Sequence, residues 1–154
     1  MATKKKVGIK VPTKNEILKK YGSMIIQASD TKEPGLWLPS TFFNLNYTLG
    51  GGFPWGKVTE IAGEESSGKS LIALNAAYAC QQLGGSVIWV DAEQSWMNSW
   101  AELNGIDPNK VTVIRDTRIE YISDAVADVA IYLRSQLVNN EPILLVVDSV
   151  AAII

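Results

Sequence analysis

The sequence contains no histidine and only one cysteine, Cys80. Protein zinc sites depend mainly on cysteine and histidine ligands, and the common serine and cysteine hydrolase triads need a histidine base. The composition therefore excludes zinc sites and histidine-based triads. Cys80 lies among alanines within a helical pattern, so we expect a packed free thiol in a reducing, cytoplasmic setting.

Long apolar runs are also missing from the 154 residues. The longest, at 143–147 and 150–154, are far shorter than the roughly 18 residues that cross a bilayer, and no apolar signal segment follows the first lysines. We therefore expect no membrane partner. With 47% apolar and 19% charged residues, the composition is that of a soluble globular chain with a buried core.

The formal net charge is only −2, but the charges are unevenly placed. Residues 1–20 contain seven lysines and one acid, whereas residues 21–154 contain seven basic and fifteen acidic side chains. A basic leader of this kind contacts nucleic acid or an acidic neighbour, or is simply solvated. The charge pattern alone does not choose between these interpretations.

The strongest functional signal is the motif at 63–70. Its two glycines, lysine and hydroxyl residue have the spacing of a phosphate-binding loop, and a flexible Gly/Ser turn is the alternative. The motif lies between a strand-like and a helical pattern, where backbone N–H groups and the helix dipole favour a polyphosphate. We expect the lysine to reach the β and γ phosphates and the last serine to hold a magnesium ion. The predicted nucleotide-binding residues are Gly63, Glu64, Glu65, Ser66, Ser67, Gly68, Lys69 and Ser70.

Strand and helix patterns alternate regularly from residue 57 onward. The predicted strands are 58–62, 86–91, 111–114 and 143–148, and the predicted helices are about 69–83, 96–104 and 119–138. This alternation is typical of a parallel α/β sheet, whose ligands lie beyond the carboxyl ends of the strands. The runs 87–90 and 143–147 are continuously apolar, which predicts helices on both faces of the sheet.

The residues before this core have weaker patterns. They predict an amphipathic helix at 14–21 that ends at Gly22, a possible short strand at 24–26, and a loop at 31–39. A second helix is expected after Ser40, as its N-cap, and Gly50 is expected to end it. We expect the apolar stripe of helix 14–21 to pack on the body or on another subunit, because so short a helix is unstable alone.

Acidic residues follow two of the predicted strands. Asp148 ends the most apolar strand, where a carboxylate can hold a magnesium ion directly or through water. Asp91 and Glu93 follow another buried strand. Glu93 is the candidate catalytic base for a water molecule, and Asp91 is its structural neighbour. The alternative is that these acids are ordinary caps and turn formers.

The residues of these motifs and their order along the chain resemble those of bacterial RecA recombinases and their phage relatives. The matching segments are 16–24, 39–52, 56–61, 63–70, 90–93 and 146–152. The resemblance implies an α/β fold: a RecA-like P-loop NTPase core with a parallel sheet flanked by helices, after a short N-terminal helix. It also implies two regions, a basic segment at 1–35 with an oligomerisation helix and linker, and a partial ATPase core at 36–154.

The resemblance also implies a function, an ATP-dependent DNA recombinase that forms a filament on single-stranded DNA and exchanges it with a homologous duplex. Its cofactors would be ATP and Mg²⁺. Lys69 and Glu93 would be catalytic, Ser70 and Asp148 would hold the metal, and the Trp100 ring would stack on adenine. Burial of Trp96 and Trp100 on one helix face is the alternative role for these rings. Another RecA-like ATPase, such as a helicase or recombination mediator, and a non-hydrolysing nucleotide-binding module are the other candidate functions.

Three features depart from the RecA pattern. Glu64 replaces a common proline, and Met97 lies near an aspartate position that contacts the adenine amine, which puts base selectivity in question. The chain also stops in an apolar run directly after a buried strand, before the family's DNA-binding loops, and so looks like a fragment. We therefore expect the 154 residues alone to hydrolyse ATP poorly and not to exchange DNA strands.

Overall fold

The fold is described from a computed structural model, which describes residues 12–24 and 35–153. Its contacts divide the chain into two compact units, and the division falls between Gly35 and Leu36. Among the described residues, the first unit contains one α-helix, and the second contains two small β-sheets and four α-helices. The candidate site lies entirely within the second unit.

The first unit contains helix α1 (Lys14–Tyr21), as predicted. The hydroxyl of Thr13 accepts a hydrogen bond from the Glu16 N–H, and the Glu16 carboxylate accepts one from the Thr13 N–H. This reciprocal pair satisfies two N–H groups that an uncapped helix would leave unpaired. The helix ends at Gly22, which has a positive φ of 53°. Of the possible strand at 24–26, Met24 lies instead in a 3-10 turn, and residues 25–26 are outside the described residues.

The second unit begins with strand β1 (Trp37–Leu38), which pairs antiparallel with β2 (Phe53–Pro54). The predicted loop at 31–39 is therefore wrong at 37–38, while residues 31–34 lie outside the described residues. A pair of two-residue strands has no alternating pattern long enough to identify from sequence. The two strands pair only after the chain between them has folded back.

Helix α2 (Phe43–Leu49) follows β1 and precedes β2 along the chain. The predicted cap at Ser40 is wrong, because the N-cap position is Phe42 and has no side-chain capping bond. The Ser40 hydroxyl instead accepts a hydrogen bond from the Phe42 N–H at 3.1 Å, one turn before the helix. Gly50 ends the helix as predicted, in the left-handed conformation with φ 76° that a glycine adopts without steric cost.

The main sheet has three parallel strands in the order β4-β3-β5. These are β3 (Ser86–Asp91), β4 (Val111–Ile114) and β5 (Ile143–Asp148), and they alternate along the chain with helices α3 (Lys69–Gln82), α4 (Asn98–Leu103) and α5 (Ile119–Gln136). The predicted α/β class with a parallel sheet flanked by helices is confirmed. The three strand ranges are as predicted, and the helix bounds differ by up to two residues.

The strand predicted at 58–62 is wrong. These residues have no strand pairing, and the side chain of Val58 is 97% exposed. A strand needs a neighbouring strand that accepts and donates its backbone hydrogen bonds. Among the described residues none lies alongside this segment, so a strand-like sequence connects β2 to the phosphate loop without forming a strand.

The prediction of covered sheet faces holds for β3 but is wrong for β5. Val87, Ile88 and Val90 are no more than 1% exposed, whereas Leu145 and Val147 of β5 are 46% and 36% exposed. β3 is the central strand. Over β5, helix α5 leaves an open apolar groove.

Helix α3 packs its alanine-rich side on the sheet and carries the predicted free thiol. Cys80 is fully buried, and this burial raises its pKa to about 11. The prediction of a packed rather than reactive cysteine is confirmed. No helix within the described residues is long and apolar enough to span a membrane.

Candidate nucleotide-binding site

The motif at 63–70 leads into α3, which begins at Lys69, and glycine occupies both of its glycine positions. A Cβ on Gly63 would lie 2.8 Å from the Ser67 hydroxyl oxygen, so the Ser67 side chain would have to move to make room for it. Gly68 is the N-cap of α3 and has a φ of +91°, which other residues rarely adopt. Ser66, between them, also has a positive φ, of 59°. The backbone therefore folds into a tight turn that ends at a helix N-terminus.

The side chain of Lys69 bends back over this turn. Its ammonium group donates hydrogen bonds to the carbonyl oxygens of Gly63 at 3.1 Å and Glu64 at 2.7 Å. The side-chain hydrogen bonds thus hold the cation at the start of the loop. The N–H groups in the first turn of α3 have no partner within the helix, which leaves donors and a positive dipole end facing the same region. Glu64 and Glu65 are exposed.

The next residue, Ser70, connects this loop to the edge of the main sheet. Its hydroxyl donates a hydrogen bond to Asp148 Oδ2 at 2.7 Å, which joins the N-terminus of α3 to the end of β5. A hydroxyl and a carboxylate are the hard oxygen ligands that magnesium prefers. The described residues contain no group of three or more His, Cys, Asp or Glu side chains able to hold a metal. Magnesium usually takes one or two carboxylates and completes its shell with phosphates and waters.

The ends of β3 and β5 bring Glu93 to the same place. Asp91 and Asp148 are register partners, and the Ala92 N–H donates to the Asp148 carbonyl at 3.1 Å. Just beyond this pair, the Ser149 hydroxyl donates to Glu93 Oε1 at 2.6 Å. The exposed Glu93 carboxylate therefore lies beside the residues that follow Asp148.

Asp91 has different surroundings. Its side chain is fully buried, and its carboxylate accepts hydrogen bonds from the N–H groups of Ser95 at 2.8 Å and Trp96 at 3.1 Å. A third bond comes from Arg115 Nε, also at 3.1 Å, which is an ion pair. These contacts tie the turn after β3 to the end of β4. The carboxylate is saturated by structural partners, so it is not free to bind a ligand.

Trp100 lies on α4 and is 46% exposed, and nearby Met97 is 61% exposed. Trp96 lies before the helix and packs against Trp89, with ring centroids 5.0 Å apart. The interpretation that Trp96 and Trp100 share one buried helix face is therefore wrong. Among the described residues, no hydrogen bond or ring contact joins the Trp100 side chain to the phosphate loop, and its adenine role stays a prediction.

Sequence reasoning assigned no role to Ser149 or Arg115. Ser149 directly follows Asp148, so a hydroxyl at the carboxyl edge of the sheet was the available signal. Arg115 directly follows β4, and a cation at that edge could have been matched to the acid that ends β3. Asp116, next to Arg115, has its pKa lowered by hydrogen bonds from the Arg118 side chain, and this pair precedes α5.

The family model for the RecA N-terminal domain matches residues 10–154. The chain belongs to this family. The resemblance drawn from the motifs is thus confirmed for nearly the whole chain. The match includes the phosphate loop and the strands that end at Asp91 and Asp148.

Curated relatives agree with the family match. The chain is 37% identical over 140 residues to Protein RecA of Malacoplasma penetrans, which covers 90% of the chain and 40% of that protein. It is 36% identical over 141 residues to Protein RecA of Nitratidesulfovibrio vulgaris, covering 90% and 38%. For Protein RecA of a Picosynechococcus species, the identity is 32% over 143 residues, covering 91% and 39%. The chain thus spans about 40% of the length of these RecA relatives.

Proposed function

We propose that this chain is the ATP-binding and ATP-hydrolysing part of a DNA recombinase. The proposal depends on one observation, the pair of hydrogen bonds Ser70–Asp148 and Ser149–Glu93 at a single sheet edge. These bonds join the Ser70 hydroxyl to the Asp148 carboxylate, and the next residue, Ser149, to the Glu93 carboxylate. Membership of the RecA N-terminal domain family supports the same function.

Phosphate binding is assigned to the loop at 63–70 and to Lys69. The ammonium now bonded to two backbone carbonyls would transfer its hydrogen bonds to β- and γ-phosphate oxygens. Ionised partners make stronger hydrogen bonds than neutral carbonyls, which favours this exchange. The backbone N–H groups of the turn would bind the remaining phosphate oxygens without any further side chain.

Metal binding is assigned to Ser70 and Asp148, whose oxygens already lie 2.7 Å apart. A magnesium ion held there, when bound, neutralises charge on the β and γ phosphates. Because one hydroxyl and one carboxylate leave most ligand positions open, nucleotide and metal would bind together. Trp100, half-exposed on α4, is the proposed stacking surface for adenine.

Hydrolysis is assigned to Glu93. Its carboxylate is exposed and follows β3, at the edge of the sheet where the phosphate loop ends. A base that orients a water molecule for attack on the γ phosphate needs this position. Asp91 contributes by fixing the turn that carries Glu93. In the longer protein we propose a cytoplasmic recombinase that forms a filament on single-stranded DNA and pairs it with duplex DNA.

The binding assignment is tested by titrating ATP and Mg²⁺ into the chain and into a Lys69→Ala variant. Loss of a charged hydrogen-bond donor should weaken ATP binding by about ten-fold or more. Lys110→Ala is the matched control, since Lys110 precedes β4 and lies at the opposite edge of the parallel sheet. Equal affinities for the Lys69→Ala and Lys110→Ala variants would contradict the assignment.

The hydrolysis assignment is tested with Glu93→Gln, which keeps the size of the side chain and removes its basicity. Positioned bases typically contribute about 10²- to 10⁴-fold to a rate, so single-turnover hydrolysis should fall by at least about 10² while ATP binding is kept. Glu102→Gln on α4 is the control. For the DNA role, a polypeptide extended to the length of its relatives should form filaments on single-stranded DNA in the electron microscope, and the absence of filaments would count against a recombinase.

A further inference from the structure

Hydrogen bonds fix the backbone of the turn that carries Glu93, but not the Glu93 side chain. Asp91 holds the N–H groups of Ser95 and Trp96, and the Gln94 N–H donates to the Asp91 carbonyl at 3.2 Å. Gln94 also has a φ of 56°, a left-handed conformation that costs about 1 kcal/mol or more outside glycine and persists only where neighbours enforce it. The backbone of Glu93 is therefore held from both sides.

The side chain of Glu93 has far fewer constraints. It is exposed, and within 12–24 and 35–153 its one hydrogen-bond donor is the Ser149 hydroxyl, at 2.6 Å. A glutamate side chain on the surface samples several rotamers unless a partner selects one. The contact joins two residues 56 positions apart, so the fold rather than the local sequence brings them together.

Ser149 itself is well placed to select that rotamer. Its backbone continues directly from Asp148, and the Asp148 carbonyl is fixed to β3 by the Ala92 N–H at 3.1 Å. The Asp148 carboxylate in turn accepts from the Ser70 hydroxyl at the start of α3. One short stretch, 148–149, thus contacts both the phosphate-loop helix and the candidate base.

We propose that Ser149 is the positioning residue for Glu93, holding its carboxylate beside the metal-binding edge so that it can orient water. This inference rests on the proposed function, because it assumes that Glu93 acts as the base. The hydroxyl donates to Oε1, so Oε2 has no hydrogen-bond donor among the described residues and is available to accept a proton from water. A carboxylate with one oxygen anchored and the other free has the geometry of an oriented general base.

The test compares Ser149→Ala with Ser149→Thr, which keeps the hydroxyl, in single-turnover ATP hydrolysis with the chain in excess. Removing one hydrogen bond to a charged group should lower the single-turnover rate at saturating protein about ten-fold, with the dissociation constant for ATP unchanged within about two-fold. Ser149→Thr should restore most of the rate. Ser123→Ala on α5 is the matched control and should have no effect.

A double-mutant comparison separates positioning from a general structural role. If Ser149 acts through Glu93, Ser149→Ala should cause no further loss in a Glu93→Gln background. The same ten-fold loss in both backgrounds, an unchanged rate, or ATP binding weakened as much as the rate would each overturn the inference.

If turnover of the unmodified chain is below detection, binding of ADP with aluminium fluoride replaces the rate as the measurement, because this complex resembles the transition state. Ser149→Ala should weaken that complex about ten-fold but leave the affinity for ADP alone unchanged. Equal weakening of both, or of neither, overturns the role of Ser149. Failure of the unmodified chain to bind ATP would instead refute the proposed function, so the two failures are distinguishable.

Discussion

Asp91 and Asp148 lie opposite each other at the ends of β3 and β5, yet one is buried and the other partly exposed. Asp91 accepts hydrogen bonds from two backbone N–H groups and a guanidinium, whereas the described partner of the Asp148 side chain is a single hydroxyl. Both are aspartates that end an apolar strand, so the residue type does not separate them. Burial and the number of donors decide which carboxylate stabilises the fold and which stays available to a ligand.

The same contrast extends to whole regions, the core around β3 and the open edge around the phosphate loop. β3 is paired on both sides and covered by helices, while residues 58–62 lead into the loop without any strand pairing. Substitutions in the core region should therefore change the free energy of unfolding, and substitutions at the open edge should change ligand binding.

The largest effect is expected for Asp91→Ala against Asp148→Ala. Removing the Asp91 carboxylate leaves buried donors without an acceptor, which should lower the free energy of unfolding by about 3 kcal/mol. Asp148→Ala removes a partly exposed acceptor and should cost less than about 1 kcal/mol. Urea denaturation followed by circular dichroism measures both, and similar losses would remove the distinction between the two acids.

The next pair, Val87→Ala and Val58→Ala, makes the same chemical change in the two regions. Val87 is fully buried in β3, and losing two methyl groups there should cost about 2 kcal/mol, counting the cavity left behind. Val58 is 97% exposed, so its replacement should change stability by less than about 0.5 kcal/mol. A large loss for Val58→Ala would show that segment 58–62 is packed in solution.

A smaller difference is expected between two ion pairs. Arg115 is 53% exposed at its side chain, but its partner Asp91 is fully buried, so Arg115→Ala should lower the free energy of unfolding by about 1–2 kcal/mol. Arg118 pairs with Asp116 at the surface, where solvent and salt screen the charges, and Arg118→Ala should have no measurable effect. Equal losses in the same denaturation experiment would mean that the burial of Asp91 is unimportant.

Sequence alone predicted most of the core because its elements have strong local signals. The apolar runs ending at Asp91 and Asp148, the phosphate-loop motif and the glycines after the helices all indicate their structures without long-range information. The expected proximity of Glu93 and Asp148 followed from one physical rule, that parallel strands present their carboxyl ends at one edge. In the structure these residues do lie at that edge.

The features that sequence did not predict depend on partners far away in the chain. Residues 58–62 have the composition of a strand, but only a neighbouring strand could have made them one. The pairing of β1 with β2, the contact of Arg115 with Asp91, and that of Ser149 with Glu93 each join distant positions. Rules of periodicity and capping cannot predict such contacts, because the contacts form only once the sheet has brought its strands together.

The smallest expected effect concerns Cys80, which lies in the buried region. Ionisation of its thiol should not change the free energy of unfolding at neutral pH. Burial raises the pKa of its thiol from 9.0 to about 11. Between these two pKa values the unfolded chain loses the thiol proton while the folded chain keeps it. The free energy of unfolding therefore falls as pH rises, by about 1 kcal/mol from pH 9 to 10.

Lysines and tyrosines also titrate in this pH range, so the measurement is the difference in the free energy of unfolding between the unmodified chain and Cys80→Ala, from urea denaturation. Below pH 8 that difference should be constant, and above pH 9 it should shrink, because only the unmodified chain has the thiol. A difference that stays constant to pH 10 would show that the Cys80 thiol is accessible to water and that this part of α3 does not belong to the buried core.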